Sequence, residues 1–353
     1  MQFQFGIEHE VAFVRSNGEF ADFTNTTYGE FAKIVEQLPE YQADAEQLRM
    51  GDAGIRRKRW YIEGIERFDP LGNLVNCVPK GIEIRTTIHA SIADTIAELT
   101  TSFQHLQRVA QEFDFTPTLT SFNPNQTQFI PDPPLNGYEQ QRLNSSPEDR
   151  TEHLPMVTYG PDLNLSVVGA SMADLVDWGR KLTYYSPYIL PFSYGRSIYQ
   201  GQPWSGQSVR TFYRTGARPA ALVFVASPQD VILSDPSLTK VAQIPAEVGR
   251  IEFKAFDSCE LPRYGSLLAL LKGLILDRTL PGRATVPDRK LHQRSAQYGF
   301  DDPDIATIAQ TVLTTVNQVL EQDSDRVYLD PLSVARHTPE PIGHLPSTAE
   351  ADC

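Results

Sequence analysis

The sequence predicts an α+β fold in which a mainly antiparallel sheet carries helices on one side. Several segments alternate apolar with polar residues, as strands do when only one face is buried. Amphipathic helical patterns occur between them, but not as regular β-α-β units, so a doubly wound sheet is disfavoured. The two common nucleotide-binding motifs, G-x-x-x-x-G-K-[ST] and G-x-G-x-x-G, do not occur in the sequence.

The first strand, FQFGIEHEVAF at 3–13, has one apolar face that carries phenylalanines, Ile7, Val11 and His9. The opposite face carries Glu8 and Glu10, two positions apart and therefore on the same side. His9 points to the apolar face, so we interpret it as a hydrogen-bonded core histidine rather than a ligand.

Three later segments repeat this design. Glu83 and Arg85 share a face in GIEIRTT, Arg250, Glu252 and Lys254 share one in RIEFKAF, and Asn164 and Ser166 share one in DLNLSVV. A solvated sheet surface explains any one of these strands. If the strands are neighbours, however, their carboxylates repel one another, and a divalent cation removes that penalty. Hard carboxylate oxygens favour Mg²⁺, or Mn²⁺, over Zn²⁺.

The helical segments predicted from apolar periodicity are 28–39, 91–113, 171–185, 263–278 and 303–322. Residues 122–160 are rich in Pro, Asn, Gln and Ser and show no clear periodicity, which is typical of a long functional loop or lid. We therefore expect one domain over 1–325 with an irregular lid near 122–160. Residues 326–353 are rich in proline and are expected to form a surface tail.

The composition and the apolar pattern of the sequence argue against several classes of protein. The net charge of −13 disfavours binding to a nucleic-acid backbone. Three cysteines without a pairing pattern indicate a reducing compartment. No basic leader precedes the first strand, and no apolar stretch is long enough to span a membrane, so we expect a cytoplasmic protein without membrane association.

Five motifs together resemble one family. G-I-E-H-E near the start, E-I-R-T-T-I-H at 83–89 and R-I-E-F-K-A-F-D from 250 are similar to strands of the glutamate–cysteine ligase family. GQSVRTFYRTGARP resembles its arginine-rich segment, and LHQRSAQYGFDD at 291–302 resembles a short motif before its last helix. More broadly, the pattern resembles carboxylate–amine ligases with the glutamine synthetase catalytic fold, in which a curved sheet forms a cradle and helices cover its outer face.

The resemblance implies that ATP phosphorylates the side-chain carboxylate of glutamate and that an amine, cysteine by default, attacks the acyl phosphate. It implies Mg²⁺ (or Mn²⁺) held by Glu8, Glu10, Glu83 and Glu252, which clamps the ATP phosphates. Planar guanidinium groups suit carboxylates and phosphates. The implied catalytic residues are Arg210 and Lys254, and the implied substrate- or ATP-binding residues are Arg85, Asn164 and Arg214.

Two positions depart from the family pattern and leave alternatives open. Lys254 stands where many members have arginine, and the N-L-S of the central strand stands where part of the family has histidine. The alternatives are a ligase with a different amine acceptor and a non-catalytic relative that binds metal or nucleotide. A third alternative is a kinase that uses the same sheet geometry. The expected partners are small molecules, namely glutamate, ATP and cysteine or another amine.

Overall fold

The structure is a computed structural model that describes residues 1–48, 58–195 and 197–335. Within these residues eleven strands occur, and most belong to one sheet. The strands are β1 (Phe3–Arg15), β2 (Phe20–Ala21), β3 (Trp60–Phe68), β4 (Leu74–Arg85), β5 (Phe115–Thr118), β6 (Pro161–Val167), β7 (Ile198–Tyr199), β8 (Gln202–Pro203), β9 (Ala221–Val225), β10 (Thr239–Val241) and β11 (Ile251–Phe253).

The large sheet has the strand order β10-β9-β11-β6-β1-β4-β3, and β2 and β5 pair with β1. Within it only β9 and β10 pair in parallel. The long strand β1 therefore lies between β4 and β6, and β11 follows β6. The four strands expected to share a polar face are thus consecutive in the sheet, in the order β11, β6, β1, β4.

The helices are α1 (Tyr28–Gln37), α2 (Asp44–Gln47), α3 (Ile92–Gln111), α4 (Gly137–Leu143), α5 (Pro147–Arg150), α6 (Met172–Ile189), α7 (Val209–Arg214), α8 (Arg263–Leu276), α9 (Arg289–Tyr298) and α10 (Pro303–Val319). Helices α1, α3, α6 and α8 contact the apolar side of the sheet. Ser91 caps α3, because its Oγ accepts a hydrogen bond from the Asp94 N–H at 3.1 Å. The predicted α+β fold, with a curved, mainly antiparallel sheet and helices on one side, is confirmed.

Helix α8 lies at the centre of the core. It is apolar on nearly all sides, and all its leucines except Leu276 are fully buried between the sheet and the outer helices. No helix in the described part of the chain combines the length and the apolar character that a membrane span requires.

An irregularity in β3 shapes the polar face. The register with β4 shifts between Glu63 and Gly64, where the strand bulges. A Cβ atom at Gly64 would lie 2.1 Å from the Val78 carbonyl oxygen, so only glycine permits this close approach of the two strands. The bulge falls directly beside the carboxylate of Glu63.

The segment 122–160 is less irregular than the sequence indicates, because it contains α4 and α5. Both helices begin with side-chain caps, Asn136 for α4 and Ser146 for α5. Beyond α10, Leu329 and Leu332 are buried against the core. The remainder of the predicted tail, from 336 onwards, lies outside the described residues.

Candidate active site

The register of the sheet brings the predicted carboxylates together. On β1 and β4, Glu10 lies opposite Glu83 and Glu8 lies opposite Arg85. On β1 and β6, Glu8 lies opposite Asp162, and on β6 and β11, Asn164 lies opposite Glu252. The polar face is therefore one continuous patch.

One end of this patch is a cluster of three carboxylates. Glu10, Glu63 and Glu83 each offer an oxygen atom, and these oxygens all lie within 4.8 Å of one another. Glu63 was not among the site residues predicted from the sequence, although it lies on the polar face of β3 together with Tyr61. The sequence did not identify Glu63 as a site residue because the motifs that resemble the ligase family include part of β4 but no part of β3.

The electrostatics of this cluster favour a cation. Burial, together with the neighbouring charges of Glu63 and Glu8, raises the pKa of Glu83 well above its usual value. Glu10 is partly buried, which by itself raises its pKa, but the Lys80 ammonium, 2.7 Å from its Oε1, lowers the pKa of Glu10 overall. Arg85 lies 4.0 Å from Glu83, and a hard divalent cation fits the oxygen ligands of all three acidic side chains.

The carboxylates at the other end of the patch are paired with cations of the chain itself. Arg250 contacts Glu8 at 2.8 Å and Glu252 at 2.9 Å. Lys254 contacts both Glu252 and Asp162. Despite the opposing effect of burial, Lys254 and Arg250 lower the pKa of Glu252 to about 2, whereas burial raises the pKa of Asp162 to about 6.

Three arginines, Arg210, Arg214 and Arg218, form a basic cluster at helix α7 and the loop that follows it. Arg210 donates hydrogen bonds to the carbonyl oxygens of Ala255 and Lys254, both at 2.9 Å. Burial and the charges of the two neighbouring arginines lower the pKa of Arg214 to about 9. An anion bound here would offset this repulsion.

Local structure fixes the basic cluster. The Ser208 Oγ caps α7 by accepting from the Thr211 N–H at 2.9 Å, and it donates to Asp257 at 2.9 Å. Arg210 packs over Gly160, where a Cβ atom would lie 2.8 Å from the arginine Nε. A side chain at position 160 would therefore displace this guanidinium.

The carboxylate and arginine clusters line the same cavity, which has a volume of about 310 Å³. All the residues predicted for the site line it except Asn164. Asn164 lies in an adjoining cleft of about 60 Å³ and donates to Glu8 at 3.3 Å. The cavity walls also include residues that the sequence reasoning missed or did not assign, namely Glu63, Glu66, Asp162, Arg218, Lys240 and Arg250.

Residues from the segment 122–160 complete the wall. Glu148, Asp149 and Glu152 line the cavity opposite the sheet. The Arg218 guanidinium joins this segment to the basic cluster by donating to the Glu148 carbonyl oxygen at 2.9 Å. The segment therefore borders the site.

His9, interpreted from the sequence as a core residue, and Cys259 both have structural surroundings. His9 lies on the apolar face, fully buried, with its Nε2 atom 2.7 Å from the Tyr264 hydroxyl, and burial lowers its pKa to about 4. Burial raises the pKa of Cys259 to about 12, so its thiol stays protonated near neutral pH.

No family model matches the chain, and no curated protein matches it. Solved structures do match. A bifunctional glutathione synthetase from Pasteurella multocida aligns with a TM-score of 0.51 at 14% identity, over 91% of this chain and 45% of that chain. This chain shares its fold. The chain spans less than half the length of that relative.

Two further structures align less closely. A glutamate–cysteine ligase from Francisella tularensis, in complex with AMP, gives a TM-score of 0.48 at 12% identity, over 94% of this chain and 80% of that chain. A structure of the prokaryotic ubiquitin-like protein Pup with its ligase PafA gives a TM-score of 0.48 at 13% identity, over 91% of this chain and 58% of that chain.

Proposed function

We propose that this chain is an ATP- and Mg²⁺-dependent ligase that joins the γ-carboxylate of glutamate to an amine through an acyl phosphate. The observation that carries the proposal is the shared cavity, in which a cluster of carboxylates faces a cluster of arginines. Phosphoryl transfer from ATP requires both a cation-binding site and groups that bind anions.

The carboxylates fit a divalent cation by charge and by donor type. Glu10, Glu63 and Glu83 would hold Mg²⁺, since their oxygens lie within reach of one another and their mutual repulsion disappears when a cation binds. When bound, the cation neutralises phosphate charge. Glu8 and Glu252 are proposed as additional ligands, which requires Arg250 and Lys254 to release them.

The basic residues supply binding and orientation. Arg210 and Arg214 are proposed to bind the transferred phosphate and the glutamate carboxylate, with Arg218 beside them and Arg85 near the strand carboxylates. Lys254 places an ammonium, held by Asp162 and Glu252, at the floor of the cavity. Asn164 orients Glu8 through its amide.

The test is glutamate-dependent ADP formation by the purified chain with ATP, Mg²⁺ and a panel of amines. Glu83→Gln should reduce turnover by at least a hundredfold and weaken Mn²⁺ binding. Glu112→Gln, at an exposed position at the end of α3, is the matched control and should change neither. If the wild-type protein binds ATP or Mn²⁺ but forms no ADP with any acceptor, it is the non-catalytic relative instead.

The sequence left the acceptor open between cysteine and another amine. Cysteine, and with it glutamate–cysteine ligase activity in glutathione biosynthesis, is what the resemblance implies. One observation favours a different amine, namely an apolar cavity that adjoins the site.

A further inference from the structure

A second cavity, of about 260 Å³, lies next to the candidate active site. The two cavities share Glu66, Arg142 and Glu152 in their walls, so they meet at a charged boundary. The second cavity lies between β3 and the segment that contains α4. No residue proposed above to bind glutamate, ATP or metal lines it.

The walls of this side cavity are mainly apolar. They are formed by Ile65, Phe68, Phe129, Pro131, Leu135 and Leu143. Ile65 and Phe129 are buried in a small apolar cluster of their own with Met156, separate from the main core. An apolar cluster that closes one side of a cavity, rather than filling it, leaves room for an apolar ligand.

The cavity is held in shape by a buried ion pair. Glu139, at the start of α4, accepts hydrogen bonds from the Arg67 Nε at 2.7 Å and from the Phe68 N–H at 3.0 Å. Asn136 donates to the Phe68 carbonyl oxygen at 2.6 Å. These contacts attach α4 to β3, so the two apolar walls are pre-organised.

The boundary between the cavities has the chemistry that an amine requires. Glu66 and Glu152 supply carboxylates, and burial, with the charge of Asp149, raises the pKa of Glu152. Arg142 lies 3.7 Å from Glu66 and 4.4 Å over the Phe68 ring. A carboxylate at this position can hold an ammonium group and then accept its proton.

We infer that the side cavity binds the apolar group of the amine acceptor, a primary amine that carries an aromatic or branched aliphatic group. The inference rests on the proposed ligase function. The acceptor nitrogen would lie at the boundary, between Glu66 and Glu152. The ammonium would transfer one proton to a carboxylate, and the resulting amine would attack the acyl carbon. The phosphate would leave with the electron pair of the broken carbon–oxygen bond and take up the second proton that the nitrogen loses as the amide forms.

The size of the cavity supports this class of acceptor over cysteine. A dry apolar cavity of about 150 Å³ is enough to hold benzene, and this cavity is larger. The short side chain of cysteine would leave most of the apolar wall without contacts, which forfeits dispersion energy.

Binding to the full chain can be measured by calorimetry without ATP, with phenethylamine, phenylalanine, ethylamine and cysteine as probes. Phenethylamine or phenylalanine should bind at least tenfold more tightly than ethylamine and cysteine. Because only phenylalanine carries a carboxylate, comparing the affinities of the two aromatic probes shows whether the acceptor needs one. Leu143→Glu should weaken binding of the aromatic probe at least tenfold. Leu71→Glu, in an exposed turn where the leucine is 87% exposed, should not.

Two results would overturn the inference. One is that neither aromatic probe binds more tightly than ethylamine to the wild-type protein, a result that does not depend on the folding of any variant. The other is that a folded Leu143→Glu variant binds the aromatic probe unchanged.

Turnover assays separate this inference from the ligase function. If glutamate-dependent ADP formation occurs but cysteine is the preferred acceptor and Leu143→Glu leaves kcat/KM unchanged, the side-cavity inference is wrong and the ligase proposal stands. If the aromatic probes bind as expected but no acceptor supports ADP formation, the ligase proposal fails, and the assigned role as an acceptor site fails with it.

Discussion

The single ammonium group of Lys254 balances part of the negative charge of two carboxylates on the polar face of the sheet. Its ammonium contacts Asp162 and Glu252, and Arg250 contacts Glu252 and Glu8. Two cations of the chain thus contact three carboxylates at this end of the patch, whereas at the other end Lys80 contacts Glu10 and Arg85 lies 4.0 Å from Glu83. The two ends differ in their electrostatics, because burial and neighbouring carboxylates raise the pKa of Glu83, whereas Lys254 and Arg250 lower that of Glu252 despite its burial.

This difference predicts the effect of Lys254→Met. Removing the ammonium leaves Glu252 with Arg250 and takes away the cation that contacts Asp162, so the carboxylates should recruit a metal ion. We expect a Mn²⁺ titration followed by electron paramagnetic resonance to show one more bound ion per chain than in the wild type. Lys254→Arg keeps the charge and should leave the number unchanged. An unaltered number of bound ions in Lys254→Met would contradict this account.

Helix α7 shows how a short element can position a binding site. Its six residues carry Arg210 and Arg214, and a helix this short gains little stability from its own hydrogen bonds. The Ser208 cap, its hydrogen bond to Asp257 and the packing of Arg210 on Gly160 therefore supply much of its order.

Ser208→Ala should accordingly lower both stability and ligand affinity. Loss of an N-cap costs about 1 kcal/mol of unfolding free energy, and displacement of Arg210 should weaken ATP binding severalfold. Ser91→Ala removes the equivalent cap of α3, which lies on the other side of the sheet. It should cost a similar free energy and leave ATP affinity unchanged, as urea unfolding and calorimetry can show. Equal ATP affinities in both variants would mean that α7 does not position the site.

Across the whole molecule, stability depends on acidic groups buried near the site. Asp257 is 1% exposed, and burial raises its pKa to about 6 in spite of the nearby Arg210. The unfolded chain releases this proton at a lower pH than the folded chain. The contribution of Asp257 to stability therefore falls as the pH rises from about 4 to about 6.

Asp257→Asn isolates this contribution, because the amide oxygen can still accept the Ser208 hydrogen bond. Relative to the variant, the wild type should lose about 2 kcal/mol of unfolding free energy between pH 4 and pH 6.5, from a shift of about two pKa units. Urea unfolding of both proteins at several pH values measures the difference. A difference that is constant with pH would show that the folded chain does not retain this proton.

The sequence determined the strands and their two faces. Alternation placed Glu8 and Glu10 together on one side of β1, and it did the same for Glu83 with Arg85 and for Glu252 with Lys254, because successive side chains of a strand point to opposite faces. Apolar periodicity located the main helices in the same way. These are local properties, so the chain encodes them without reference to its partners.

Tertiary structure decided which strands are neighbours and, with that, which charges meet. Glu63 joins Glu10 and Glu83 because β3 pairs with β4 and bulges at Gly64, and Asp162 joins Lys254 because β6 lies beside β11. The side cavity arises in the same way, from the attachment of α4 to β3 through Arg67 and Glu139. Contacts between distant segments depend on the packing of the whole sheet, and alternation within a single strand carries no information about its neighbour.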